Sequence, residues 1–246
     1  MALMPLVGCV TPAVRKAHEK PAPGASRGEP FPAWVPEARA EEDKPEPKQA
    51  SSELPFSEPP LVAAPIDESP ASELGVMLAR RAALYVGLKS LRKVTKEVTD
   101  DCSGFARLVF HGQGIELYQD GFLPGESGVA AIYRRARVMG ALHDGLPRPG
   151  DLVFFHDTYD RNRNGRHDDG LTHIGVVESI DGDGTVTFIH RYGLGVKRSK
   201  LNVGAPTLHA NTEGHILNDY LRRATRKERS RLTGELFSGY ASPEGL

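Results

Sequence analysis

Sulfur is scarce in this chain: two cysteines and four methionines in 246 residues. Two cysteines cannot make a disulfide framework, and Cys9 and Cys102 sit in segments of such different character that no bridge between them is expected. Tryptophan occurs once, at Trp34, as a stray apolar residue in a polar stretch. No apolar run approaches the roughly 20 residues that cross a bilayer. An excess of one charge is also lacking: 31 Lys+Arg stand against 32 Asp+Glu. That balance offers no basic stripe to nucleic acid and no cationic face to an anionic membrane surface.

Proline is unevenly spread, with 13 of the 19 prolines between residues 10 and 70, among repeated Ser, Glu and Ala. Such a segment buries too little apolar surface to offset its chain entropy. Residues 10–70 are therefore expected to be a disordered linker, spanning about 40–50 Å as a flexible coil. Ahead of it, residues 1–9 are apolar but too short for a signal peptide and without a basic start. Leu6-Val7-Gly8-Cys9 resembles a bacterial lipobox, with Cys9 as the lipidated residue. That resemblance places the true start upstream of Met1. With Val10 rather than an aspartate after the cysteine, it also implies an outer-membrane lipoprotein facing the periplasm, or a secreted protein. The membrane is then met only through the lipid on Cys9.

Residues 71–246 read as one folded domain. A helix is expected over 72–92, on a stripe of Leu74, Leu78, Leu84, Leu88 and Leu91. A second runs from Cys102 to His111, capped by Asp101 and ended by Gly112 and Gly114. A third covers 128–142, with Val129, Ile132, Ala136 and Met139 inward and Arg134, Arg135 and Arg137 outward. The period then shortens. Residues 151–156, 173–180, 185–192 and 195–202 are short, β-rich and bounded by Pro-Gly or Asp-Gly turns. Thr225-Arg226-Lys227-Glu228 has the form of a capping box, predicting a last helix over 226–237. Helices followed by a strand meander make an α+β domain.

Cys102 is the one thiol of the folded part. At a helix start, after a capping aspartate, it meets the positive end of the dipole and free backbone N–H groups, which predicts a lowered pKa. Ser103 and Gly104 keep that turn small, so that a substrate carbonyl can approach the oxyanion donors. A base must be near. Nine histidines are present, and His173 and His190 flank the hairpin whose turn is Asp181-Gly182-Asp183-Gly184. A symmetric turn pairs Ile180 with Thr185 and hence Gly175 with His190. His173 and His190 then share a face on a diagonal, roughly 7–8 Å apart. Cys102 is the candidate nucleophile, His173 the base that forms a thiolate–imidazolium pair, and His190 the residue that orients its ring.

Three segments carry a resemblance: Asp101-Cys102-Ser103-Gly104-Phe105, Pro149-Gly150-Asp151-Leu152-Val153-Phe154-Phe155, and Thr172-His173-Ile174-Gly175-Val176-Val177. Together they look like the NlpC-type cell-wall hydrolases, and the hairpin from His173 to His190 resembles their CHAP relatives. The likeness covers roughly residues 72–215. It implies a papain-like fold, with a helix-borne cysteine packed on an antiparallel sheet, and a cysteine peptidase or amidase that cuts amide bonds of peptidoglycan stem peptides outside the cytoplasm. By position it gives Cys102, His173 and His190 the roles already argued and requires no cofactor. The chain lacks the Gly-x-Pro-Tyr segment that many members carry before the cysteine; here that region reads Tyr85-Val86-Gly87-Leu88-Lys89. An amidase or acyltransferase on another substrate, or an inactive wall-binding module, stays open as an alternative.

One insertion stands apart. In residues 160–170, Asp160, Asn162, Asn164 and Gly165 fall at positions 1, 3, 5 and 6 of a calcium loop. Arg166 would contribute its backbone carbonyl and Asp168 falls at position 9. Position 12 is Leu171, so the bidentate acid is missing unless Asp169 substitutes. Calcium is thus an expected structural ligand, weakly held.

Overall fold

The computed structural model describes residues 71–226 and 228–246. The expectations for residues 1–9, the 10–70 linker and Cys9 lie outside the described residues. The remainder is α+β, with three helices against an antiparallel sheet.

Helix α1 (Glu73–Leu84) starts at Ser72, whose hydroxyl accepts the Gly75 N–H at 2.9 Å. Leu78 and Ala82, four residues apart, point into the core. Leu84 is 82% exposed, because six residues from Leu78 it has rotated off the stripe. The helix therefore ends well short of residue 92. Tyr85 closes it and Gly87 turns the chain with φ +88°. Leu91 is buried from a separate 3₁₀ turn over Leu91–Lys93.

Helix α2 (Cys102–His111) matches the expected span, and Asp101 accepts the Gly104 N–H at 2.8 Å. Helix α3 (Gly128–Val138) is capped by Ser127 and stops before 142. Val129, Ile132 and Ala136 are buried as expected, whereas Met139 is half exposed. Arg135 does not face outward: it is buried, with Nη1 3.0 Å from Asp120 and Nη2 donating to Gln119. A residue three positions from Ile132 shares its face, so the packing of α3 takes the arginine stem inward and the loop carboxylate meets the head.

The main sheet contains β1 (Leu142–His143), β2 (Leu152–His156), β3 (Leu171–Ile180), β4 (Val186–Tyr192), β5 (Gly195–Leu201) and β8 (Phe237–Ala241), in the order β1-β8-β2-β3-β4-β5. Strand β2 explains its own composition. Leu152 and Phe154 pack against the helices, and Val153 and Phe155 enter a second core with Val177, Phe188, Leu221, Leu236 and Tyr240. Both faces are covered, so an unbroken apolar run is required. Burying each of these side chains stabilises by roughly 1.5–3 kcal/mol.

The β3–β4 hairpin turns one residue later than a symmetric turn would, pairing Ile180 with Val186. A bulge between Val177 and Ser179 absorbs the extra residue, and Val176 pairs with Ile189. At that point the register is the one expected, and the two histidines keep their shared face.

The expected helix over 226–237 does not form. Thr225 does accept the Glu228 N–H, at 3.1 Å, but the Thr225 N–H donates to the Glu228 carbonyl, so the motif closes a turn. The turn joins β6 (Tyr220–Arg222) to β7 (Arg231–Leu232), followed by a 3₁₀ turn over Gly234–Leu236 and β8. Leu221 and Leu236 cover the second face of the sheet, packing with Tyr240 of β8, a demand that overrides local helix propensity. No helix among the described residues is long and apolar enough to cross a membrane.

Candidate active site

The thiol comes from the helix layer and the imidazoles from the sheet. Cys102 is the first residue of α2 and half-buried; its Sγ lies 3.9 Å from the carbonyl oxygen of Thr172, next to His173. Cys102 and His173 line one cleft of about 570 Å³, with Asp101, Tyr159, Tyr192 and Arg223 also in its walls. A cleft of about 600 Å³ around the His143–Asp151 pair contains neither Cys102 nor the two buried histidines.

His173 and His190 are brought together as their diagonal placement requires. Nε2 of His173 is 2.6 Å from Nδ1 of His190, and Nε2 of His190 is 3.1 Å from the Ser199 hydroxyl on β5. Tyr192 stacks on His190 at 5.5 Å between ring centroids and meets His173 edge-on. This relay ties ring orientation to tautomer. For Nδ1 of His173 to accept a proton, its own proton must lie on Nε2 and be donated to Nδ1 of His190. His190 must then carry its proton on Nε2 and donate it to Ser199. Ser199 is therefore the outer end of this hydrogen-bonded chain, and sequence reasoning missed it. Its only sequence signal is its place on the strand after the second histidine: His190 pairs with Lys197, two residues before it.

The electrostatics depart from the expectation of a lowered thiol pKa. Burial, with the nearby Asp101 charge, pushes the Cys102 thiol up to about 12, despite backbone N–H groups that favour the thiolate. Burial, with Lys197 as a second cause, holds His173 down at about 3. Burial and the neighbouring His173 hold His190 well below the usual imidazole range. The free cleft thus holds a neutral thiol and a neutral imidazole, without a resting ion pair. Iodoacetamide should accordingly label Cys102 in the folded protein more slowly than free cysteine at pH 7, with a rate still climbing at pH 10. A rate that levels off below pH 8 would show a thiol ionising like one at the surface.

Ser103 and Gly104 serve the helix start and do not line the cleft. Ser103 is buried; its hydroxyl donates to Asp101 at 2.8 Å and accepts from Tyr118 at 2.9 Å. Gly104 is required by packing: a Cβ there would stand 1.9 Å from the Thr99 carbonyl oxygen. Gly104→Ala should destabilise by about 3 kcal/mol, the upper range for overpacking, and urea melts of both proteins measure it. An equally stable variant would mean that the 95–100 loop yields freely. The Cys102 and Ser103 N–H groups, in the first turn of α2, have no intrahelical acceptor and stand near the thiol.

Asp100 anchors the cleft rim. It accepts from Ser90, the Leu91 N–H and Arg191, and these bonds hold its carboxyl at about 2. In the 160–170 loop, Asp160 accepts the Asn164 and Gly165 N–H groups, and Gly165 takes φ +82°. The Asn162 and Asn164 side-chain oxygens accept the Asn164 and Arg166 N–H groups, Asp168 accepts from Asn164, and Asp169 accepts the Arg161 and Asn162 N–H groups. The described residues contain no group of three or more His, Cys, Asp or Glu placed to hold a metal, so a cation here would need amide and carbonyl oxygens beside any carboxylate.

Comparison with protein-family models, curated proteins and solved structures found no match to this chain.

Proposed function

We propose that this chain is a cysteine hydrolase of papain-like architecture that cuts amide bonds in peptidoglycan stem peptides at the cell envelope, tethered through Cys9. The observation that supports this most is the shared cleft of Cys102 and His173, with His173 held by His190 and Ser199. In this reading Cys102 Sγ attacks the amide carbonyl as His173 takes the thiol proton. The developing oxyanion accepts the Cys102 N–H. His173 returns the proton to the leaving amine, and water hydrolyses the thioester, freeing the acid and the thiol. Digestion of purified peptidoglycan, with fragments identified by mass, tests it. New amine and carboxyl ends are expected with the wild type and not with Cys102→Ala; identical digests would overturn the reading.

Loop 160–170 in this proposal binds calcium and steadies the strand that carries His173. The loop joins β3 directly, and Gly170 donates to Asp157 while accepting the Asp157 N–H. Asp160, Asn162, Asn164 and Asp168 would supply side-chain oxygens and Arg166 its carbonyl. Without a bidentate acid the affinity should be about 10⁻⁴–10⁻³ M. Millimolar calcium should raise the melting temperature by linkage, and Asp160→Ala should remove that rise. Unchanged melting and no calorimetric heat would leave the loop a self-bonded turn.

A further inference from the structure

The balanced charge of the whole chain hides a local excess of cations. Lys89, Arg92, Lys93 and Lys96 lie on and around the 3₁₀ turn that follows α1, and all four are exposed. The acids that come next are Glu97, which is exposed, Asp100, which pairs with Arg191 at 3.1 Å, and Asp101, which caps α2. The turn between β4 and β5 lies beside this basic segment. The Gly87 N–H donates to the Val196 carbonyl and the Val196 N–H to the Leu88 carbonyl, both at 2.9 Å. A Cβ on Gly195 would stand 3.3 Å from the Lys89 Cα. Arg191 donates to Asp100 and to the Gly193 carbonyl, which ties the same turn to the end of the basic loop. Both segments expose aliphatic side chains: Leu194, at the tip of the turn, is 91% exposed and Val94 48%. Lys197 on β5 is exposed beside them, its Nζ 4.8 Å from the centre of the Tyr192 ring.

A single exposed leucine is ordinary. One at a hairpin tip, flanked by five cations, has the makeup of an interfacial anchor, in which the cations meet lipid phosphates and the aliphatic side chains enter the acyl boundary. A soluble polyanion would engage the cations and leave Leu194 in water. We propose that the face formed by residues 89–96 and the β4–β5 turn docks on an anionic lipid surface, with Leu194 inserted and Lys89, Arg92, Lys93, Lys96 and Lys197 on the headgroup phosphates. Asp100, Arg191 and Gly193 also line the cleft of Cys102 and His173, so the docked domain holds that cleft beside the bilayer. The inference rests neither on hydrolysis nor on a lipid at Cys9.

The probe is full-length Cys9→Ser protein, which carries no lipid of its own. It is sedimented with vesicles of equal phosphatidylglycerol and phosphatidylcholine, or of phosphatidylcholine alone. Binding to the anionic vesicles should be about tenfold tighter or more, and should weaken as added salt shortens the Debye length. A Lys or Arg at an anionic surface is worth about fivefold in affinity, so Arg92→Gln, Lys93→Gln and Lys96→Gln together should weaken binding about 100-fold. Leu194→Ser should weaken it about tenfold and leave binding to soluble polyphosphate unchanged. Leu194→Trp, in a Trp34→Phe background, should shift its emission to the blue on anionic vesicles, a reading that holds whether or not the triple variant folds. Equal binding to neutral and anionic vesicles would overturn the proposal. So would an unshifted emission, or polyphosphate bound as tightly as vesicles with Leu194→Ser silent on both.

Discussion

Under the proposed mechanism, Cys102→Ala is expected to lower the hydrolysis of peptidoglycan fragments by roughly 10⁴–10⁶-fold, the usual cost of deleting a nucleophile. The fold should survive, since the side chain is half-buried and only its sulfur is lost. His173→Ala should cost nearly as much, about 10³-fold or more. With the thiol raised to about 12, almost none of it is ionised at neutral pH unless a base takes the proton during attack. His190→Ala should be milder, because His190 acts only through the ring it holds 2.6 Å away. His209 bonds the Asn218 carbonyl at 2.7 Å and does not line the cleft, so His209→Ala should match the wild type. Full activity in the Cys102→Ala protein would end the mechanism. A flat ranking across the histidines would show that the relay does not act on the thiol.

The second large effect concerns stability in acid. His173 and His190 are buried and neutral, His173 with its pKa at about 3 and His190 well below normal. In the unfolded chain both titrate near 6.5. Below that pH the unfolded state binds protons that the folded state refuses, so stability is complete above about 6.5 and falls as the pH drops toward the folded values. The slope is about 1.4 kcal/mol per pH unit for each histidine. Asp100 and Glu235 are held at about 2, so the stability they contribute is lost only below the ordinary carboxylate range. The interval from pH 6.5 to 4.5 therefore reports on the imidazoles. Melting temperature should fall steeply across it, and in His190→Asn the decline should be about half as steep. A constant melting temperature over that interval would mean that the pair takes up protons within the fold.

The two effects pull against each other. Burial that keeps His173 neutral, as the proposed mechanism requires, is also what makes the fold acid-sensitive. Under this mechanism kcat/KM should stay level between pH 5 and 9, inside the window set by a base at about 3 and a thiol at about 12. An acid limb near 6.5 would place His173 in contact with water.

What was legible in the sequence was local. Asp101 before Cys102-Ser103-Gly104 specifies a capped helix start through bonds that span three residues. Alternation along Val186–Tyr192 specifies which side chains share a face, and so brought His173 to His190 even though the turn was misplaced by one residue. Tertiary structure decided the rest, because burial is a property of the whole packed chain. The dipole at α2 argued for an acidic thiol, and the desolvation around Cys102 outweighs it. Thr225 and Glu228 formed their capping bond, but the open face of the sheet needed Leu221 and Leu236, so a turn and strands replaced the helix. Arg135 was drawn inward by the packing of α3 against a loop carboxylate that lies 15 residues earlier. Ser199 reached His190 only when β5 was laid beside β4, and no pattern within a single element could have announced it.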